Sequence, residues 1–228
     1  NNPADTFHNN LGSGGNFTES GQLIDGGYIG DKLYSSNSFT NAHELIDSYG
    51  KGNSDGDTLL YKNYSITSSG VARTFPTDGS ISKVAFQLKK QGSPSGTAFA
   101  HICAVGTGTV GTDAKPDDVI LATSDGLNVT SLTTTLTIKT FNFPNTVPLP
   151  AGDYCIFVTY ETGGDASNHV RIGRDTSSPT YTGNRVIGTW GTWIASNTNE
   201  PIFYLYGSKN LDLITKGTDS LSEVSSPA

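Results

Sequence analysis

The chain has 228 residues, 34% of them apolar and 15% charged, with 14 basic against 21 acidic residues for a formal charge of −7. An acidic chain whose largest basic cluster is the pair Lys89–Lys90 argues against a nucleic-acid binder, and no apolar run approaches the ~18 residues that would carry a helix through a bilayer. Gly, Ser, Thr and Asn fill the difference, a composition that suits short strands and many turns better than long helices. The sequence contains no methionine, so Asn1 is not an initiator: it is either the processed end of an exported or assembled protein or an edge within a longer chain.

Residues 1–56 are rich in Gly, Asn and Ser, with isolated apolar residues such as Leu23, Ile24, Tyr28 and Leu33. They read as an extended N-terminal arm that borrows its order from another surface. One short helix is expected in it, over about 42–49: Asn41 supplies the cap, Glu44 the capping-box partner and Gly50 the stop. From residue 57 the texture changes to strand, turn, strand. "DTLLYKNYSI" and "GVARTFPT" are the first candidates. "SISKVAFQLKK" alternates, with Ser82, Val84, Phe86 and Leu88 on one face and Lys83, Ala85, Gln87 and Lys89 on the other. "QGSPSG" is a turn, "TAFAHICAV" a strand, 106–118 a Gly/Asp-rich loop and "VILATS" a short strand. "TLTIKTFNF" changes phase near Lys139–Thr140, so a bulge is expected there to bring Leu136, Ile138, Phe141 and Phe143 inward together.

"LPAGDYCIFVTY" is a strand with apolar bulk on both faces. One face then lies on a core, and the other is covered by a loop, by the arm or by a subunit. "NHVRIGR", "GNRVIGTW" and "EPIFYLYGS" complete about nine or ten short strands between 57 and 207, with turn signals at the spacing of a sandwich. No helical segment separates them, which excludes parallel βαβ units. The expected fold is all-β, an antiparallel β-sandwich of jelly-roll type. Residues 208–228 form a polar C-terminal tail with a brief apolar patch at Leu211, Leu213 and Ile214. It is either a plain tail or a strand added to a neighbour's sheet edge.

Three stretches carry a family likeness. "GVARTFPTDGSISKVAFQLKKQGSPSG", "LPAGDYCIFVTY" and "YTGNRVIGTWGTWIASNTNEPIFYLYG" together resemble the choice-of-anchor R type β-sandwich modules of bacterial surface and phage virion proteins, over about residues 57–207. The resemblance implies a sandwich fold and a place in secreted surface proteins or in virion and tail proteins. It implies no catalytic residue set.

Candidate sites follow from residue chemistry. Cys103 and Cys155 are mid-strand with apolar neighbours. They are either one disulfide, if their strands adjoin, or two buried thiols acting as small hydrophobes. The histidines, His8, His43, His101 and His169, are scattered. "GSPSG" places Pro94 where a nucleophile elbow needs its serine. Acids such as Asp117, Asp118, Asp153, Glu161 and Asp165 read as solvated loop residues. Asn53, Asp55 and Asp57 alternate in "GNSDGD" and could wrap a hard cation such as calcium, though the spacing is not an EF-hand and a plain turn is the favoured reading. No other cofactor is indicated. Trp190 and Trp193, with Tyr181 upstream, are the ligand-binding candidates, since an exposed indole offers a flat face to sugar C–H groups or to a protein. The alternative is that they plug the core.

These features point to a non-enzymatic structural or adhesive module on the outside of a particle or cell: a virion protein (tail, fibre or capsid decoration) or a surface-fibre subunit that self-assembles through its termini. Its partners would be other copies of itself or a capsid, tail or surface scaffold, without nucleic acid or membrane insertion. The location would be extracellular or on the virion surface. The alternative is a carbohydrate-binding module whose partners are glycans, and a secreted hydrolase is a weaker third reading.

Overall fold

The computed structural model describes residues 44–177 and 179–209, all in one compact unit. Of the expected arm (1–56) residues 1–43, and of the expected tail (208–228) residues 210–228, lie outside the described residues; 208 and 209 belong to the last strand. Two antiparallel sheets face each other. In the first, β4 (Gly79–Gln91) is the hub. Along one side it pairs with β8 (Thr137–Leu149), and along the other with β14 (Phe203–Lys209) and then β10 (His169–Asp175). β1 (Glu44–Tyr49) extends β14, β2 (Gly56–Leu60) extends β10, and the short β13 (Glu200–Pro201) also pairs with β10. The second sheet runs β12 (Thr192–Ser196), β11 (Asn184–Thr189), β3 (Ser68–Phe75), β9 (Gly152–Thr159), β5 (Thr97–Thr107) and β6 (Lys115–Thr123), with β7 (Leu127–Asn128) on β5. The chain is an all-β sandwich, as its turn-rich composition implies.

Alternation builds the core. Val84, Phe86 and Leu88 of β4 face Val71 of β3, Ile102 of β5 and Ile156 and Val158 of β9, with Phe141, Phe203 and Leu205 filling between them. Each such side chain, fully buried, contributes about 1.5–3 kcal/mol. Among the described residues no helix is long and apolar enough to cross a membrane.

The helix expected over 42–49 is not formed: residues 44–49 are β1, a strand. The capping signals there are local, worth ~1 kcal/mol. The strand gains a ladder against β14 and buries Tyr49, whose hydroxyl donates to Asp175 Oδ2 at 2.6 Å. The sandwich therefore includes residues from 44 onward, and the part of the expected arm from 44 to 56 belongs to it.

The bulge expected at Lys139–Thr140 is also absent. β8 keeps its register there, with Phe86 opposite Lys139 and Gln87 opposite Ile138, so Ile138 stays on the outer face, 36% exposed. At this edge the inner positions hold Thr137 and Lys139, both half-buried. The irregularity comes later, between Asn142 and Val147, opposite Ile81–Lys83.

Candidate functional site

β9 is apolar on both faces because it serves two clusters. Ile156 and Val158 point into the inter-sheet core. Cys155 and Phe157 point to the outer face of the second sheet, into a smaller buried cluster with Ala72, Cys103, Ala114 and Val186. Gly70, opposite Phe157 on β3, presents no side chain, which lets β3 approach the Ile156–Phe157 backbone of β9 closely. The cover consists of two connections. The β5–β6 loop brings Val110 and Ala114 down, held by Asn184, whose Nδ2 donates to Ala114 O at 3.0 Å and whose Oδ1 accepts from Gly111 N at 3.1 Å. The β11–β12 turn, Trp190–Gly191, brings in both indoles. Gly191 has φ +74°, a conformation that favours glycine, so the tight turn is available at this position.

The two tryptophans are half-buried and lie edge to face, centroids 5.9 Å apart at 87°. Trp193 sits 4.8 Å from the Phe157 ring and Trp190 5.7 Å. His101 joins the group at 5.8 Å from Trp190, and its Nδ1 is 3.0 Å from Thr123 Oγ1. Burial pushes the His101 pKa down to about 4, so the ring is neutral at physiological pH. Trp193 Nε1 donates to Asp118 Oδ1 at 2.6 Å, and Gly191 N donates to the same oxygen at 3.3 Å. Asp118 has φ +64° and lies where β6 slips register against β5, so an irregular edge strand aims its carboxylate at the hairpin.

Neither simple expectation for the tryptophans fits. They roof a second, minor core while keeping part of each indole exposed. Tyr181 does not join them. Its ring packs on Phe203 at 5.2 Å and its hydroxyl donates to Asp47 Oδ2, in the inter-sheet core. The structure thus brings Trp190 and Trp193 together and separates both from Tyr181. It adds His101, Phe157 and Asp118, which in the sequence are a scattered histidine, a strand residue and a loop acid. No pattern in the sequence announces the positive-φ irregularity that gives Asp118 its role.

Cys103 and Cys155 are direct cross-strand partners on β5 and β9, and both are free, buried thiols. The disulfide alternative is not the form seen. Burial, with a smaller contribution from Asp117 and Asp118, pushes the Cys103 thiol up to about 12, and burial raises Cys155 as well. Neither is a nucleophile at neutral pH.

Asn53, Asp55 and Asp57 do not form a shared cation site. Asp57 holds Lys89 Nζ at 2.7 Å and Arg171; burial works to raise its pKa, but these two cations hold it below the usual carboxylate range. Asp55 Oδ1 accepts from Thr176 N at 2.6 Å and from Thr176 Oγ1 at 2.9 Å, capping a turn. Asn53 ends a 3-10 turn over Lys51–Asn53. The carboxylates are committed to neighbouring cations and backbone and, contrary to the calcium expectation, do not converge as a cage for that ion. Among the described residues no cluster of three or more His, Cys, Asp or Glu could hold a metal ion.

No protein-family model matches the chain, and no curated protein matches it.

Proposed function

We propose that the chain is a non-enzymatic structural or adhesive module of the exterior of a particle or cell, a virion or surface-fibre component that assembles with copies of itself. One observation carries this reading. β6 is an edge strand, and its consecutive residues Val119, Ile120 and Leu121 are 59%, 45% and 48% exposed. Folded monomers usually blunt such edges with charge, proline or cover. Here Pro116, Asp117 and Asp118 and the register slips against β5 blunt the start of the strand, but no charge or proline falls within Val119–Leu121. A neighbouring copy adding its strand to β6 would bury this run and complete the backbone hydrogen bonds. The resemblance of residues 57–207 to choice-of-anchor R modules points the same way.

Sedimentation across a concentration series tests it. The full chain is expected to associate, and a Val119→Lys/Leu121→Lys variant with unchanged circular dichroism is expected to be monomeric over the same range. A wild-type chain that is monomeric at its highest soluble concentration would sink the idea. Deleting 210–228 asks whether that terminus contributes.

A second reading, glycan binding, is favoured by the half-exposed indoles of Trp190 and Trp193. The turn that carries them sits on the outer face of the second sheet, away from the Tyr181 region. A glycan array, followed by Trp190→Ala, tests it: hits that survive the substitution would count against this face.

A further inference from the structure

An open cavity of about 290 Å³ lies at the edge of the sandwich where β2 of the first sheet meets β11 of the second. Its lining is divided. Leu59, Ile66 and Ile187 supply apolar surface, while Arg171, Arg174 and Arg185 supply three guanidinium groups against the single carboxylate of Asp57. That carboxylate is already shared by Arg171 and Lys89.

The other two arginines have neutral partners only. Arg174 donates Nε to the backbone carbonyl of Asp57 at 3.2 Å and Nη1 to Asn199 Oδ1 at 2.7 Å. Arg185 donates Nη2 to Thr58 Oγ1 at 2.6 Å and Nε to Ser69 Oγ at 3.4 Å. Neither makes an ion pair among the described residues. Arg185 is nevertheless only 3% exposed. A guanidinium taken out of water without a counter-ion is costly; burial lowers the Arg185 pKa to about 10. Glu200 forms no ion pair with it and neither of its oxygens has a hydrogen-bond partner among the described residues; burial, together with Asp175, raises that carboxyl to about 8 against the pull of Arg185. The fold holds a concentration of uncompensated positive charge beside an apolar wall, in a chain whose net charge is −7.

We propose that this cavity binds a small organic anion, a carboxylate carried on an apolar or sugar body, with Arg174 and Arg185 holding the carboxylate and Leu59, Ile66 and Ile187 receiving the body. Arginine presents its N–H groups as a planar fork that matches a carboxylate. Nη1 of Arg185 and Nη2 of Arg174 have no acceptor among the described residues and are the donors left for it. The site is separate from the Trp190–Trp193 face and does not depend on the reading of β6.

Calorimetric titration of the full chain at low ionic strength tests this with benzoate and D-glucuronate, each beside its neutral counterpart, benzyl alcohol and glucose, and with inorganic sulfate. Saturable binding of benzoate, of glucuronate or of both is expected, at least tenfold tighter than the neutral counterpart and than sulfate, and weakened by added salt. Benzoate alone identifies an apolar body, and glucuronate alone a sugar acid. Arg185→Gln and Arg174→Gln should each weaken binding at least tenfold. Arg174 is half-exposed, so its variant keeps the test usable if Arg185→Gln does not fold. The proposal is overturned if neither carboxylate binds, if sulfate binds as tightly, or if folded Arg174→Gln binds as the wild type does.

Discussion

Trp193 donates its indole N–H to Asp118 at 2.6 Å, joining the β11–β12 hairpin to β6, strands at opposite ends of the same sheet. The bond closes the outer face of that sheet over Cys155 and Phe157. Because Asp118 is exposed and its partner half-buried, the bond is worth less than a buried charged one, about 1 kcal/mol. In urea unfolding Asp118→Ala should lose that much plus about 1–2 kcal/mol for an alanine at φ +64°, Trp193→Phe should lose it plus part of the packing on Phe157, and a double-mutant cycle should show that the losses are not additive. Asp118→Asn keeps both an acceptor and a tolerance for positive φ, so it should recover most of the loss. Additive losses would mean that the two residues act independently.

Much of the sandwich was legible because alternation is a physical record of burial. "SISKVAFQLKK" set Val84, Phe86 and Leu88 inward, where they lie, and the two apolar faces of "DYCIFVTY" correctly required a second cover. The identity of that cover was not legible, because it depends on where two separate connections, one before β9 (Val110, Ala114) and one after it (Trp190, Trp193), come to rest. Residues 44–49 misled for a related reason. Their capping pattern is a local signal, while β1 is dictated by the open edge of β14, over 150 residues later. The cavity arginines were invisible because they come from β10 and β11, and only the meeting of the two sheets brings them together.

The thiols offer a direct check on the minor core. Cys103 and Cys155 face each other unbonded and fully buried. Quantification with a thiol reagent should find two free groups in denaturant and almost none reacting in the native protein over the same time. Finding none in denaturant would show a disulfide instead.

Two buried ionisable groups set opposing pH dependences. Glu200 is 1% exposed and its pKa is raised to about 8. The folded state therefore holds its proton where the unfolded chain, at ~4.3, has released it. Its contribution is complete below ~4.3 and is lost as pH rises towards 8. His101, lowered to about 4, works the other way: its contribution is present above its unfolded value of ~6.5 and is lost as pH falls towards 4. The two nearly cancel between about 4.5 and 6.5. Above that only Glu200 acts, and stability should decline towards pH 8 by up to ~1.4 kcal/mol per pH unit. Urea midpoints from pH 4 to 9 would show this. Glu200→Gln should abolish the decline above 6.5; an unchanged profile in that variant would place its cause elsewhere.

Gly70 separates steric from conformational demands on glycine. A Cβ there would fall inside contact distance of the Ile156 carbonyl and the Phe157 Cα, both backbone atoms of the adjacent strand. β3 and β9 would have to part, so Gly70→Ala should lose about 3 kcal/mol or more. Gly191 is the contrast: its φ is +74° but nothing lies within 4 Å of a Cβ placed on it. Gly191→Ala should lose only about 1–2 kcal/mol, the strain of that backbone conformation. Removing the Phe157 ring distinguishes the two causes at position 70. If the ring were the obstacle, Gly70→Ala would lose much less stability in a Phe157→Ala background. Since the obstructing atoms include backbone, the loss should persist there, measured as the difference in unfolding free energy between the single and double variants.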